Sequence, residues 1–523
     1  MAGWIVVATF NLADLFELVA DAVPHRNAAV ADGTARTYAE LDERATRLAH
    51  AIEVEAGEHV GLCLHNSIAH VELLLACFKA RAVPVNVNWR YTEPEVGYVA
   101  DDADLVRVWR DVDVTGAAFE ALVASGTPDR DFGARAPDDR YILYTGGTTG
   151  RPKGVVWRHE DIFFAALGGG NPGGPAITTP EAIARSVVEN PAQRLRAFLP
   201  QDAPGPPQYV SLALGPLVHA SGQWSALGTL LGGGKLVLYT GAHLDMRRVL
   251  ELIAVERIGA LNLVGDASAR PLVEALQHDP PRYDTSSLRL LGSGGSMLSA
   301  DVKRELLELL PSVQGIIEGI GSSESPAQAV ALTTRDSETT SLTFAAKPET
   351  IIVDDALRPI PNGTGAVGRL ATRGRVPLGY YKDPDRSART FVEIDGQRWS
   401  LPGDMATIDA DGTVHLLGRG SQCVNTGGEK VYPEEVEAVL KTATGVHDAV
   451  VIGVPDARYG ERVVAIVARA PDAPAPELDE LQNHARAQLA GYKLPRALHV
   501  VDRVHRTDAG KVDYAWARTV VDG

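Results

Sequence analysis

Directly after an apolar run at 141–144, residues 144–154 read Tyr-Thr-Gly-Gly-Thr-Thr-Gly-Arg-Pro-Lys-Gly. Glycine reaches backbone conformations closed to other residues. Gly146, Gly147 and Gly150 therefore let the chain turn tightly and face its N–H groups toward an anion. Thr145, Thr148 and Thr149 add hydroxyls and Lys153 adds an ammonium. A polyphosphate is the ligand such a loop suits. It is not a Walker A loop, which needs Gly-Lys-Ser/Thr opening a helix; here Pro152 precedes Lys153 and Gly154 follows it. Taken alone, the run is equally compatible with an ordinary glycine-rich turn.

The rest of the chain narrows the class. The 523 residues include 45% hydrophobic and 22% charged side chains, a globular profile with room for several domains. The net charge of −17 argues against broad nucleic-acid or anionic-membrane binding, but not against a local phosphate site built from backbone N–H groups. Cys63, Cys77 and Cys423 form no CxxC pair and no zinc spacing, so neither a disulfide framework nor structural zinc is expected. No apolar run reaches the length of a membrane span. The apolar first ten residues carry no Lys or Arg, unlike a secretory signal, and a cytoplasmic setting is expected.

The elements that would position the loop read as α/β. Thr37-Tyr-Ala-Glu40 is a capping box ahead of Leu41, Ala45, Leu48 and Ile52, which predicts a helix over 37–53. Strands at 60–64 and 83–87 flank a helix at 72–80, the rhythm of a parallel sheet. It recurs at 235–239, 246–255, 260–264 and 288–291. Glycine- and proline-rich stretches at 168–175 and 202–207 read as surface loops. Short strands at 363–370 and 413–417 suggest an antiparallel sub-barrel. After Gly418 comes a compact α+β stretch, with a helix opened by Pro433 and strands at 449–454 and 463–468.

With its neighbours in order, the 144–154 loop resembles the phosphate loop of the adenylate-forming superfamily, and the likeness covers nearly the whole chain. Pro216-Leu-Val-His219 is similar to the stretch beside the acid pocket, which implies pocket roles for His219, Gly222 and Gln223. Residues 292–299, Gly-Ser-Gly-Gly-Ser-Met-Leu-Ser, resemble the loop between nucleotide and acid, with Gly294 and Gly295 on the nucleotide. Gly319-Ile-Gly-Ser-Ser-Glu324 resembles the Tyr-Gly-x-Thr-Glu motif. That likeness implies nucleotide contacts from Ile320, Gly321, Ser322 and Ser323, and Mg²⁺ held by Glu324 with Thr148. Ile320 replaces the usual adenine-stacking Tyr, which implies an aliphatic wall. Asp404 in Trp399-Ser-Leu-Pro-Gly-Asp implies a ribose acceptor, with Pro402 where Thr is usual. Arg419 implies a ribose or phosphate contact, Ser421 a hinge, Gly428 the thiolation tunnel, and Lys511 in His505-Arg-Thr-Asp-Ala-Gly-Lys the catalytic lysine.

The resemblance implies a large N-terminal domain of layered α/β subdomains plus a sub-barrel (residues 1–418), a hinge (419–422) and a small mobile α+β domain (423–523). It implies an AMP-forming ligase that uses ATP, Mg²⁺ and CoA on a small-molecule acid, apolar or aromatic. The subgroup flavour is similar to actinobacterial fatty-acyl-CoA synthetases. Two acceptors other than CoA stay open. One is an aryl amine, as in ATP-dependent diazotases of specialised metabolism, which activate nitrite and need no CoA. The other is a carrier protein. A non-catalytic nucleotide binder is disfavoured by the joint presence of Thr148, Lys153, Glu324, Asp404, Arg419 and Lys511.

Overall fold

A computed structural model describes residues 8–147, 150–169, 175–196, 206–278, 283–337, 342–426, 429–456, 459–471, 473–507 and 510–522. The capping box at Thr37 forms in both directions, and the helix runs Tyr38–Ala51 with Leu41, Ala45 and Leu48 buried. Such a cap is worth about 1 kcal/mol. The neighbouring helix starts earlier than its apolar pattern suggests, at Ile68, because the Ser67 hydroxyl accepts from the His70 N–H at 3.1 Å.

The strands His59–Cys63, Val83–Asn86, Leu105–Arg110 and Arg140–Gly147 run parallel. The last of them turns back antiparallel into Gly150–Arg158, and Gly379–Tyr380 pairs onto that outer edge. A second, larger sheet carries a parallel block in the spatial order Lys235–Leu238, Val210–Ala213, Ala260–Leu263, Leu290–Gly294 and Gly315–Ser322. It continues through Ser325–Thr333 into the antiparallel strands Thr343–Ala346, Thr350–Val353, Gly368–Arg373, Asp404–Ile408 and Thr413–Arg419. The expected strand at 363–370 is corrected. Gly363 and Gly365 hold φ of +80° and +69° in a turn, and the strand begins at Gly368. The expected strand at 288–291 likewise starts later and extends through Gly294, because Gly292 pairs with parallel neighbours on both sides and Gly294 with Gly319. The stretches 170–174 and 202–205, within the two expected surface loops, lie outside the described residues.

The two sheets pack around helices whose apolar faces are fully covered, with Phe16, Tyr38, Phe78, Trp157 and Phe163 at the centre. Burying each such side chain contributes roughly 1.5–3 kcal/mol. The C-terminal sheet sets Val446–Asp456 antiparallel to Gly460–Arg469, with Ala497–Val501 parallel beside it. The helix Pro433–Leu440 covers its core through Val436 and Leu440. The molecule is thus a mixed α/β protein with a large N-terminal and a small C-terminal domain.

Candidate active site

The glycine-rich segment is the tip of a hairpin. Thr145 pairs with Lys153, and Gly147 with Gly150. Thr148 and Thr149 lie outside the described residues. Pairing across the hairpin fixes Lys153, whose ammonium stands 4.5 Å from the ring centre of Tyr380. The Tyr380 hydroxyl donates to Glu324 Oε1 at 2.7 Å. Glu324 sits in the turn between Gly315–Ser322 and Ser325–Thr333, where three donors brace the chain. The Ser400 hydroxyl donates to the Glu324 carbonyl (2.9 Å), the Trp157 indole to the Ser323 carbonyl (3.0 Å), and the Glu324 N–H to the Ser322 hydroxyl (3.3 Å). Burial opposes charge on Glu324. The Tyr380 hydrogen bond and the cations Arg419 and Lys153 outweigh it and hold the carboxyl below its ordinary range. Burial lowers the Lys153 ammonium, against the pull of Glu324.

Asp404 and Arg419 face each other across the ladder between Asp404–Ile408 and Thr413–Arg419. Gly403, at φ +105°, makes the sharp turn that starts the first of these strands. Arg419 Nε donates to Asp404 Oδ1 at 3.1 Å, and Asp404 raises the Arg419 pKa further. Gly418, at φ +114°, leaves room for the Glu434 carboxylate, which stands where a side chain would be. Glu434 accepts from the Arg419 N–H at 3.4 Å. Ser421 lies in a 3₁₀ turn, Gly420–Gln422, and Gly428 is outside the described residues.

Lys511 reaches this cluster from the other domain. The residue as a whole is exposed, yet the protein atoms crowding its ammonium lower the pKa. Arg419 adds to that effect, and Glu324 and Asp404 oppose it. The preceding Gly510, at φ +70°, presses on Val264 so closely that a Cβ would stand 2.8 Å from that side chain. Its carbonyl accepts from the Ser296 hydroxyl at 2.9 Å. Lys441 spans Asp448 (3.1 Å) and Asp266 (3.5 Å), and His447 meets Glu274 at 3.4 Å. Beside these contacts a cleft of about 830 Å³ opens between the domains, with His65, Trp89 and Arg90 on one wall and Arg469, Arg503 and His505 on the other.

Where the sequence places the acid pocket, His219 stands at the N-cap of the helix Ala220–Leu231. Burial, with Lys511 and Arg90 nearby, lowers its pKa to about 4, so the ring is neutral. Its Nε2 has no hydrogen-bond partner among the described residues. Gly222 packs against the Gly215 and Pro216 carbonyls, where a Cβ would collide. Gln223 is buried with both ends engaged: it accepts from the Tyr141 hydroxyl and donates to the Leu217 carbonyl at 2.9 Å. Gly222 and Gln223 therefore brace the turn that presents His219. No neighbour comes within 4 Å of the missing Cβ at Gly294 or Gly295, so open space lies over that loop. Strand alternation puts Gly319 and Gly321 on the opposite face from Ile320, which is 6% exposed and packs with Ala329 and Phe344.

Sequence reasoning missed Tyr380, Ser296 and Trp157, each of which fixes a site residue from a distant segment. Only the turn-flanked Gly379-Tyr-Tyr-Lys382 offered a local hint of the first. Among the described residues no group of three or more His, Cys, Asp or Glu could cage a metal. A lone buried, ionised carboxylate such as Glu324 does fit magnesium, which binds through one or two carboxylates together with substrate phosphates.

Comparison with known proteins agrees with this geometry. Residues 16–381 match the AMP-binding enzyme family, and residues 435–511, ending on Lys511, match the AMP-binding enzyme C-terminal domain. A 3-oxocholest-4-en-26-oate–CoA ligase of Rhodococcus rhodochrous is 40% identical, over 97% of this chain and 95% of that protein. A medium/long-chain-fatty-acid–CoA/3-oxocholest-4-en-26-oate–CoA ligase of Mycobacterium marinum is 38% identical, over 98% and 97%. Among solved structures, ATP-bound MatB from Rhodopseudomonas palustris aligns with a TM-score of 0.78 at 26% identity, covering 97% of this chain and 98% of that one. With its glycine-rich hairpin, buried carboxylate, Asp404–Arg419 pair and C-terminal lysine in order along a chain matched nearly end to end, the protein belongs to the adenylate-forming family of AMP-binding enzymes.

Proposed function

We propose that the protein is an acyl-CoA or aryl-CoA synthetase that converts an apolar or aromatic acid, ATP and CoA to a thioester, AMP and pyrophosphate. The observation that carries this reading is the seating of Lys511 in the field of Glu324, Asp404 and Arg419, with Gly510 docked on Ser296. The choice of CoA as acceptor rests on the full-length relatives at 38–40% identity, which are named CoA ligases.

In the first half-reaction a carboxylate oxygen of the acid bonds to the α-phosphorus, and the bond to the bridging oxygen of pyrophosphate breaks. The protein does little covalent work here; positioning and charge compensation lower the barrier. The N–H groups of the hairpin tip and Lys153 hold the phosphates. Asp404 accepts the ribose hydroxyls, and Arg419 steadies Asp404 and the nucleotide. Lys511 offsets charge shared by the incoming carboxylate and the α-phosphate. Neutral His219, at the mouth of the acid pocket, brings no charge of its own to the carboxylate. Magnesium would be held by Glu324 with phosphate oxygens, Thr148 being the second protein ligand implied by the sequence, and would neutralise charge on the departing pyrophosphate.

In the second half-reaction the CoA thiol sulfur bonds to the acyl carbon and AMP leaves. We assign residues 1–418 to the fixed domain, 419–422 to the pivot around Ser421, and 423–523 to the domain that withdraws Lys511 and brings Gly428 to the thiol's approach. The test is a panel of acids, nitrite included, scored for pyrophosphate, AMP and CoA dependence. AMP formed with an organic acid, and thioester only with CoA, is the expected result. ADP as product overturns adenylation, and release requiring nitrite and an aryl amine without CoA overturns the thioester.

A further inference from the structure

Beneath the helix that starts after His219 a polar side chain stays partly accessible, where a pocket for plain hydrocarbon would be apolar. Asn262 lies on Ala260–Leu263, one residue before the strand ends. Its strand neighbours Leu261 and Leu263 point the other way, into the core beneath the helices Met246–Glu256 and Ala300–Leu309. Asn262 therefore faces the helix that His219 caps. Its amide nitrogen donates to the Ser225 hydroxyl on that helix at 2.8 Å and reaches the Ser211 hydroxyl on the adjacent strand at 3.3 Å. Its carbonyl oxygen lies where a Cβ on Gly292, its register partner, would stand. Among the described residues that oxygen accepts no hydrogen bond.

The surroundings are open above and closed below. Asn262, Ser225 and Gly292 all stay partly accessible, although they lie where a helix packs on a sheet. The next layer down is shut: Ser211 is wholly buried, and Leu195, Tyr209, Ala260 and Leu290 form one packed cluster. Leu195 rests on Gly259, 2.8 Å from where its Cβ would be. Ser225 is six residues along the helix from His219, a rise of about 9 Å. Strand residues step about 3.3 Å, so little depth remains beneath Asn262 for a long chain.

We propose that Asn262, held by Ser225 and Ser211, is a specificity-determining residue whose carbonyl oxygen accepts a hydrogen bond from the acid substrate. The substrate is then a compact, aryl-sized acid bearing a hydroxyl or amino group roughly 6–9 Å from its carboxylate, not an unsubstituted alkyl chain. This rests on the ligase reading above and specifies its acid. A site built to bond a substrate O–H or N–H discriminates strongly against the analogue that lacks it, because its own polar group is left unpaired.

The experiment compares kcat/KM for pyrophosphate release with cinnamate, its 4-hydroxy, 4-amino and 4-acetyl derivatives, and octanoate, in the wild-type enzyme and in Asn262→Leu and Ser225→Ala. The 4-hydroxy or 4-amino acid is expected to exceed cinnamate by roughly 100-fold or more. Asn262→Leu is expected to bring that ratio near one, and Ser225→Ala to lower it by about tenfold through a loosened carboxamide. Because the readout is a ratio within one preparation, partial unfolding of a variant does not alter it. Octanoate, cinnamate or the 4-acetyl acid (an acceptor without a donor) matching the 4-hydroxy acid, or a ratio unchanged in Asn262→Leu, overturns the proposal and leaves the ligase reading standing. No pyrophosphate from any acid, including acids outside this set, overturns both.

Discussion

Glu324 and Lys511 carry opposite charges that act on each other, and the chain holds them in opposite ways. Glu324 is locked by Tyr380, Ser400 and Trp157, which come from three separate strands, and it is 7% exposed. Lys511 is exposed and stands on a loop tied to the other domain by one hydroxyl and a tight glycine contact, with the buried Lys441–Asp266 pair nearby. A group that must stay in place is bonded from every side. On the proposed mechanism Lys511 arrives and leaves, and the neutral hydrogen bond that holds its loop contributes only about 0.5–1.5 kcal/mol.

Substitutions that treat the two groups alike would break this comparison. Lys511→Ala is expected to lower adenylation by about 10²–10³-fold, the usual cost of removing one charge-stabilising donor. It should spare thioester formation from preformed acyl-AMP. Equal loss in both half-reactions, measured separately, would show that the lysine does not withdraw. Glu324→Gln keeps shape and removes charge; adenylation should fall about 10–100-fold, with a higher magnesium requirement in titrations of initial rate. Gly510→Ala forces a side chain into a left-handed turn against Val264, which costs on the order of 1–3 kcal/mol. Adenylation should drop roughly tenfold or more while the melting temperature of the N-terminal domain stays put. Ser296→Ala removes only the hydroxyl that holds the lysine loop, and its effect should stay within about tenfold.

A pH series sharpens the same contrast. Burial and the neighbouring Glu437 raise the Glu434 carboxyl above its ordinary range, with Asp404 adding to the effect. A raised folded-state pKa means that the unfolded chain gives up this proton first. The group's stabilising contribution is therefore full below the usual carboxylate range and is lost as pH climbs through the raised value. The melting temperature should decline from about pH 5 to about pH 9, and Glu434→Gln should flatten that slope. An unchanged slope would remove Glu434 from the account.

Much of the candidate site was legible in the sequence, because the residues proposed to meet the nucleotide travel with local turn chemistry. The hairpin needs glycines, Asp404 follows a Pro-Gly turn and Lys511 follows a glycine, so each leaves a short signature. The supports did not show for the opposite reason. Tyr380 meets Glu324 across 56 residues, Ser296 meets Gly510 across 214, and Asn262 meets Ser225 across 37. Only pairing within and between sheets brings such residues together. Gln223 shows the converse: adjacent to the acid pocket in sequence, it spends both ends of its amide on Tyr141 and Leu217.

Tyr380 has one more effect. It belongs to the six-stranded sheet with the glycine-rich hairpin, whereas Glu324 lies in a turn of the larger sheet, so the phenol–carboxylate bond, with the Trp157–Ser323 bond beside it, bridges the seam between the two sheets. A triphosphate gripped by the hairpin on one side and by Glu324 through its metal on the other would suture that seam. Nucleotide would then act as a structural rivet, and saturating ATP should slow hydrogen exchange along both strands bordering it, well before any acid is added.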